Sequence, residues 1–271
     1  SQAFRSIKHP SNYKGRGTPQ NLRQNKYNTG MDSATTAALL AVNHQFYQTF
    51  AAQFSATRQR IQPGVQRLLP MLIQASRVLD VGCGNGELAR RLLRLGFGGE
   101  YLGLDFSPGL LEAACQDLPE GAAVRFLPAD LAQSGWETGI PPGSFEVAVA
   151  FAVLHHLPGL ALRQQVLGAL RRLLQPHGRL LLSNWQFLNS PRLRQRIQPW
   201  ARAGFKPEQL DPDDYLLDWR SGGSGLRYVH HFSLAELSQL ATSCNFEVIE
   251  SFLSDGENGQ TGLYQIWKVH S

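Results

Sequence analysis

The sequence predicts an α/β protein, a seven-stranded sheet with helices on both faces. Three observations predict it. A strand, a glycine turn and a helix follow one another over residues 78–95. Short apolar strands then alternate with helical patterns as far as residue 185. Two of those later strands, like the first, carry an acid at or just beyond their ends.

The first unit runs Val78-Leu79-Asp80-Val81-Gly82-Cys83-Gly84-Asn85-Gly86, with a helical pattern from Glu87 to Leu95. Three apolar residues around one acid make a short buried strand, and the glycines allow a tight turn and the close approach of a ligand to the backbone. The helix behind offers free N–H groups at its start, and Asp80 can accept a hydrogen bond from a ligand ammonium or from the loop itself. A dinucleotide fingerprint spaces its glycines as G-x-G-x-x-G around a pyrophosphate. Here they fall at 82, 84 and 86 with an acid at 80, so a pyrophosphate ligand is disfavoured. The pattern resembles motif I of the class I S-adenosylmethionine-dependent methyltransferases, which share a Rossmann-like sheet. The resemblance implies S-adenosyl-L-methionine as cofactor, with Asp80 near its methionine amino end and Gly82, Cys83, Gly84, Asn85 and Gly86 along the ligand.

Taken in order, residues 1–30 are polar, with six basic residues and no acid; they read as an extension, disordered or added in expression, ahead of a domain over 31–271. Residues 33–60 read as a helix capped at Asp32 or Ser33, with Leu39, Leu40, Phe46, Phe50 and Phe54 on its apolar face. Such a helix covers the cofactor in many methyltransferases, which would bring Tyr47 to the methionine end and Arg58 to a carboxylate. Residues 65–73, behind Pro63, form a second helix. Tyr101 to Asp105 is the next strand, and its terminal acid stands where ribose hydroxyls are held. Phe106 borders the adenine, and Ser107 caps the helix begun by Pro108. After the strand 124–127 comes Asp130; in the superfamily this acid bonds the adenine amino group and the N–H of the next residue, Leu131, meets a ring nitrogen.

Residues 145–150 form a fourth strand, from which Phe151 to Leu157 lead toward the ligand, placing His155 and His156 where donor and acceptor meet. A helix over 160–174 ends at Pro176-His177-Gly178, and a fifth strand covers 179–185. Residues 189–229 read as an irregular insertion. Ser233 and Glu236 form a capping box for a helix reaching about residue 242, and strands 246–252 and 263–269 close the sheet as an antiparallel pair.

Composition limits the classes available. At 42% hydrophobic and 17% charged the chain is of ordinary globular type, with no apolar run long enough for a membrane span and no secretory signal. Three scattered cysteines give neither a disulfide framework nor a zinc pattern, so no metal is expected and a cytoplasmic location is. Outside residues 1–30 there are 20 Lys+Arg against 21 Asp+Glu, but nine basic residues and no acid lie between 147 and 207. This block, Arg163 to Lys206, suits a phosphate backbone or a solvated surface equally.

Within the superfamily the chain is similar to the tRNA wobble-uridine carboxymethyl methyltransferases, the group that in animals includes a domain fused to an AlkB-type hydroxylase. Five stretches carry the similarity: residues 54–58, 79–86, 152–156, 181–185 and 227–232. The resemblance implies tRNA modification, esterification of a wobble-uridine carboxylate, and a small zinc-binding activator subunit as partner. The Trp-Pro that usually follows Thr-Arg is here Gln62-Pro63. A carboxylate acceptor is already ionised and needs a cation, for which Arg58 and Arg227 are candidates. A phenol, amine or carbon acid needs a base, His155 or His156, and His230, His231 and Tyr228 are candidates for the opposite wall. The alternatives are a small-molecule O- or C-methyltransferase with a histidine base, and a non-catalytic binding subunit of the same fold.

Overall fold

The computed structural model describes residues 30–57, 60–220 and 222–270, apart from the side chains of Phe54 and Thr57. The extension read over residues 1–30 therefore lies, Gly30 excepted, outside the described residues. Helix α1 (Ser33–Thr57) opens where Asp32 accepts the Thr35 N–H at 2.7 Å and the Thr35 hydroxyl at 2.9 Å, satisfying a free donor of the first turn. It bends at Phe50, whose φ of −115° is not helical. Helix α2 (Pro63–Ile73) begins on a proline, preset for a first turn.

Strands β1 (Arg77–Val81), β2 (Glu100–Asp105), β3 (Val124–Pro128), β4 (Phe145–Phe151) and β5 (Leu174–Trp185) follow in order, with helices α3 (Glu87–Arg94), α4 (Pro108–Ala114) and α5 (Leu160–Leu173) after β1, β2 and β4. After β5 come α6 (Pro191–Arg194), β6 (Ile197–Gln198), β7 (Asp214–Trp219), β8 (Gly225–His230), α7 (Leu234–Ser243), β9 (Phe246–Ser254) and β10 (Gly262–Val269). The main sheet has seven strands in the order β3-β2-β1-β4-β5-β10-β9. Its first five are parallel, and β10 lies antiparallel between β5 and β9, with Leu263 opposite Asn184. This is the expected sheet.

The period of two along β1 divides the core. Leu79 and Val81 face α5 and α7, where Val166, Leu170, Leu237 and Trp267 pack; Val78 faces α2 and α3 with Leu72 and Leu92. Each such side chain, removed from water, contributes about 1.5–3 kcal/mol. Chain order reverses between β1 and β4, opening a crevice at the carboxyl ends of the strands.

Three local expectations need correction. The segment 189–229 is not irregular: β6, β7 and β8 form a second, antiparallel sheet. Strand β5 starts at Leu174, five residues early, because Leu174 already pairs with Phe145 of β4; the chain then bulges through His177, at φ +61°, and resumes the pairing at Arg179 opposite Val147. Ser107 does not cap α4; its hydroxyl is buried without a hydrogen-bond partner among the described residues. The Ser233 hydroxyl does cap α7, accepting the Glu236 N–H at 3.1 Å, whereas the Glu236 carboxylate turns to His230.

Candidate active site

A cavity of about 530 Å³ lies over the carboxyl ends of β1, β2, β4 and β5, roofed by α1. Its first half is made by the loops after β1, β2 and β3. Gly82 and Gly84 have φ of +71° and +55°, and a Cβ on Gly82 would meet Val153 Cγ2 at 2.5 Å, so the turn demands glycine. The Asp105 carboxylate holds the loop in place, accepting the Gly84 N–H and the Ser107 N–H, each at 2.9 Å. Burial raises the Asp105 pKa despite these bonds. Asp80 accepts the Tyr101 hydroxyl, and burial pushes its pKa up to about 7. The Asn85 amide donates to the Ser55 hydroxyl at 3.0 Å, tying the loop to α1.

Asp130 accepts the Ala132 N–H at 3.0 Å and lies 3.5 Å from His44 Nε2. Burial alone would raise its pKa, but these two partners outweigh burial and lower it. The His44 ring also stacks on Phe106, 4.5 Å between centroids. Nothing in the sequence marks His44, a lone histidine on a helix, yet it joins the two residues read as the adenine contacts. Cys83, Leu131, Phe151 and Tyr47 border the same space. Tyr47 packs edge-on against Phe106 and His156, between the two halves of the cavity. Gly86 and Ser107 do not border it. Gly86 is glycine because a Cβ would meet Ala114 and Phe126 at 2.9 Å, and Ser107 is buried behind the wall.

The second half is assembled from distant segments. His155 and His156 follow β4 and both border the cavity. The Tyr228 carbonyl oxygen lies 3.1 Å from His156 Nδ1 and can only accept, so Nδ1 carries the proton; in the neutral ring Nε2 accepts the Tyr47 hydroxyl at 3.0 Å. Asn43 clamps the same stretch of β8, accepting the Tyr228 N–H at 2.8 Å and donating to the Tyr228 and His156 carbonyl oxygens. Arg227 is buried, its guanidinium 4.8 Å from the Phe46 ring, 5.2 Å from Trp219 and 5.3 Å from Trp185, and it borders the cavity. Three ring faces stabilise a cation there at little cost in hydration.

His230 is a correction. It lies beneath this wall, with Nδ1 2.8 Å from Asp214 and Nε2 2.8 Å from Glu236, and both carboxylates use its ring nitrogens. Burial lowers its pKa, but the two carboxylates more than reverse this, so the imidazolium is favoured. Arg163 joins the same network through the Tyr228 hydroxyl, at 3.0 Å. Tyr228 and His231 likewise stand off the cavity. Arg58 lies outside the described residues.

The basic block also divides. Arg163 is buried, and Arg171, Arg172 and Arg179 stand at the α5–β5 junction, at the opposite end of the sheet from the cavity. Arg192, Arg194, Arg196, Arg202 and Lys206 belong to the segment beside the cavity, and Arg192 borders it. Among the described residues no helix is long and apolar enough to cross a membrane.

The residues fit a ligand carrying an amino acid and a nucleoside without phosphate. The first half presents three carboxylates, suited to an ammonium and hydroxyls and hostile to pyrophosphate. Comparison with known proteins agrees. The methyltransferase domain family matches residues 53–251. A protein of Encephalitozoon cuniculi named as a candidate methyltransferase is 30% identical over 76% of this chain and 88% of its own. The tRNA (carboxymethyluridine(34)-5-O)-methyltransferase of Schizosaccharomyces pombe is 25% identical over 76% and 89%. The mouse enzyme of the same activity, ALKBH8, is 32% identical over 52% of this chain, which spans only 19% of ALKBH8. Among solved structures, a Methanosarcina mazei S-adenosylmethionine-dependent methyltransferase has a TM-score of 0.59 at 21% identity, covering 78% of this chain and 98% of its own. A Haloferax volcanii candidate methyltransferase, solved with the Trm112 methyltransferase activator, has a TM-score of 0.60 at 16% identity, covering 85% and 98%. With the glycine turn, the acid-lined crevice and the sheet order in agreement, the chain belongs to the methyltransferase domain family and is an S-adenosylmethionine-dependent methyltransferase of the class I fold.

Proposed function

We propose that this enzyme methylates a carboxylate on a modified wobble uridine of tRNA, forming a methyl ester. The observation that carries the reading is Arg227, a guanidinium held among Phe46, Trp185 and Trp219 at the edge of the cavity that also holds the glycine turn. S-adenosylmethionine supplies, when bound, an electrophilic methyl group on a sulfonium. What the protein adds is alignment and exclusion of water. Asp80 and the Gly82–Asn85 turn receive the amino acid end, Asp105 the ribose, and Phe106 with Asp130 the adenine. Arg227 neutralises and orients the acceptor carboxylate, a task for which a planar cation is suited.

No base is needed for that chemistry, and the histidines are arranged accordingly. The lone pair of His156 Nε2 already receives the Tyr47 hydroxyl, and its Nδ1 proton is directed to a backbone carbonyl. These bonds position the wall and disfavour His156 as a general base. The exposed Arg192, Arg194, Arg202 and Lys206 are the cations from which a tRNA backbone would release counterions, and their segment adjoins the cavity. The names of the Schizosaccharomyces pombe and mouse relatives support the acceptor, and the Trm112 complex supports an activator subunit as partner.

The test is transfer of labelled methyl from S-adenosylmethionine to total tRNA, with and without a Trm112-type activator, followed by alkaline hydrolysis. Wild-type enzyme is expected to leave alkali-labile label on tRNA. Arg227→Met is expected to lose about 100-fold or more in transfer while binding S-adenosylmethionine within about threefold of wild type. Alkali-stable label, or no label with either preparation, overturns the reading.

A further inference from the structure

The cavity contains a polar group that neither the cofactor nor the arginine accounts for. Asn184 is the penultimate residue of β5, and its side chain, 1% exposed, borders the cavity. Its Oδ1 lies 3.4 Å from His155 Nδ1. Its Nδ2 is buried and has no hydrogen-bond partner among the described residues. A buried amide deprived of a partner is destabilising, so such groups are rare in folded proteins outside sites where a ligand completes them. The neighbour in sequence, Trp185, provides one of the rings around Arg227, and Asn184 and Arg227 both border the cavity.

We propose that Asn184 is an acceptor-binding residue, whose Nδ2 donates a hydrogen bond to an oxygen of the group being methylated. The inference rests on the reading of a carboxylate acceptor and adds the residue that recognises it. The Trp185 N–H also lies 3.4 Å from His155 Nδ1 and can only donate, so Nδ1 is the acceptor in that contact and the amide is left to its ligand. One acceptor oxygen then meets a neutral donor on β5 while the carboxylate as a whole meets the cation on β8. The attacking oxygen keeps a lone pair for the methyl group, and the second oxygen is tied down. A site of this kind favours an acceptor presenting an oxygen and discriminates against one presenting an N–H, because two donors would then face each other.

The experiment compares Asn184→Asp, Asn184→Ala and wild type in the tRNA methylation assay, in S-adenosylmethionine binding by calorimetry, and in thermal unfolding. Asn184→Asp sets a carboxylate against the acceptor, and a loss of about 100-fold or more in kcat/KM is expected; Asn184→Ala should lose roughly 10- to 100-fold. Both should bind S-adenosylmethionine within threefold of wild type, and Asn184→Ala should melt no lower, since it removes an orphaned buried amide. A structural role predicts the reverse, a lowered midpoint with transfer retained, and wild-type transfer by Asn184→Asp would show that Oδ1 faces the acceptor; either overturns the proposal. Failure of wild type to label tRNA would fail the acceptor reading instead. The proposal is then judged by the side-chain NH₂ resonances of Asn184, identified by their loss in Asn184→Asp, during titration with 5-carboxymethyluridine in the presence of S-adenosylhomocysteine. Movement of that pair supports it, and an unmoved pair overturns it.

Discussion

The two halves of the cavity are built by opposite means. The cofactor half is made by turns that follow three adjacent parallel strands, and its organising bonds are short in sequence: Asp105 reaches back 21 residues to Gly84 and forward two to Ser107. The acceptor half joins α1, the ends of β4 and β5, and a strand of the second sheet, through bonds such as Asn43 to Tyr228, 185 residues apart. Backbone amides and carboxylates dominate the first; a caged arginine, aromatic rings and neutral amides dominate the second. A half made by local turns can hold one cofactor throughout a family, while a half assembled from distant segments is free to change its acceptor.

The largest effect is expected where the acceptor half has its ionic foundation. His230→Ala removes the imidazolium between Asp214 and Glu236 under the β8 wall and leaves them only Arg163, 3.9 Å from each, so the loss should be about 3 kcal/mol in stability, measured by urea unfolding at neutral pH. The His230 pKa is raised, so the stability it contributes is full below its unfolded value and is lost as pH rises through the folded one. The wild-type advantage over the variant should therefore shrink at alkaline pH. Retained transfer per folded molecule would confirm a foundation rather than a catalyst; loss of transfer in a folded variant would break the division drawn above.

Asp105→Ala attacks the other half. It orphans the Gly84 and Ser107 N–H groups and removes the carboxylate proposed to receive the ribose, and a loss of about 2–4 kcal/mol in S-adenosylmethionine binding is expected by calorimetry. Binding of 5-carboxymethyluridine should change much less. Equal losses for both ligands would mean that the halves are one cooperative unit.

What the sequence showed and what it concealed follow the same division. Gly82, Gly84, Asp80 and Asp105 were readable because turn geometry and strand ends fix their places within a few residues. The two histidine pairs look alike in sequence. Only the fold separates them: His155-His156 leaves a strand over the crevice, whereas His230 lies within β8, between Asp214 on β7 and Glu236 on α7. His44 and Asn184 carry no local signal, since their partners come from Phe106, Asp130 and His155. The second sheet was missed because its strands mix charges and aromatics without clean alternation, and their burial depends on α1. Arg163 counted as a surface cation in the sequence and is instead buried, bonded to the Leu157 carbonyl oxygen at 2.9 Å.

Asp80 gives a smaller effect with a definite sign. Its pKa is raised from 3.8 to about 7 by burial, then by the charge of Asp105, against the hydrogen bond from Tyr101. Between those values the folded protein holds a proton that the unfolded chain has released, so stability without cofactor falls as pH rises from about 4 to about 7. From pH 5 to pH 8 the loss should be on the order of 2 kcal/mol, absent in Asp80→Asn. Cofactor affinity should run the other way, rising through pH 7 as the carboxylate ionises to meet an ammonium. Affinity that is flat with pH in wild type would detach Asp80 from the cofactor half.

The smallest effect tests the boundary between the halves. Ala152, where β4 gives way to the turn carrying His155, has φ of +59°, and its N–H is held by the Ser183 carbonyl and hydroxyl oxygens at 3.0 and 3.1 Å. An alanine there is strained by its Cβ, and the strain persists because Ser183 fixes the backbone. Glycine removes the clash but has more freedom to lose on folding, so Ala152→Gly should gain at most about 1 kcal/mol, or roughly 2–3 °C in midpoint by calorimetry. A lowered midpoint would show that the methyl group packs usefully and that the strain reading is wrong. A raised midpoint with slower transfer and unchanged cofactor binding would show that alanine at this turn aligns the acceptor half against the cofactor half.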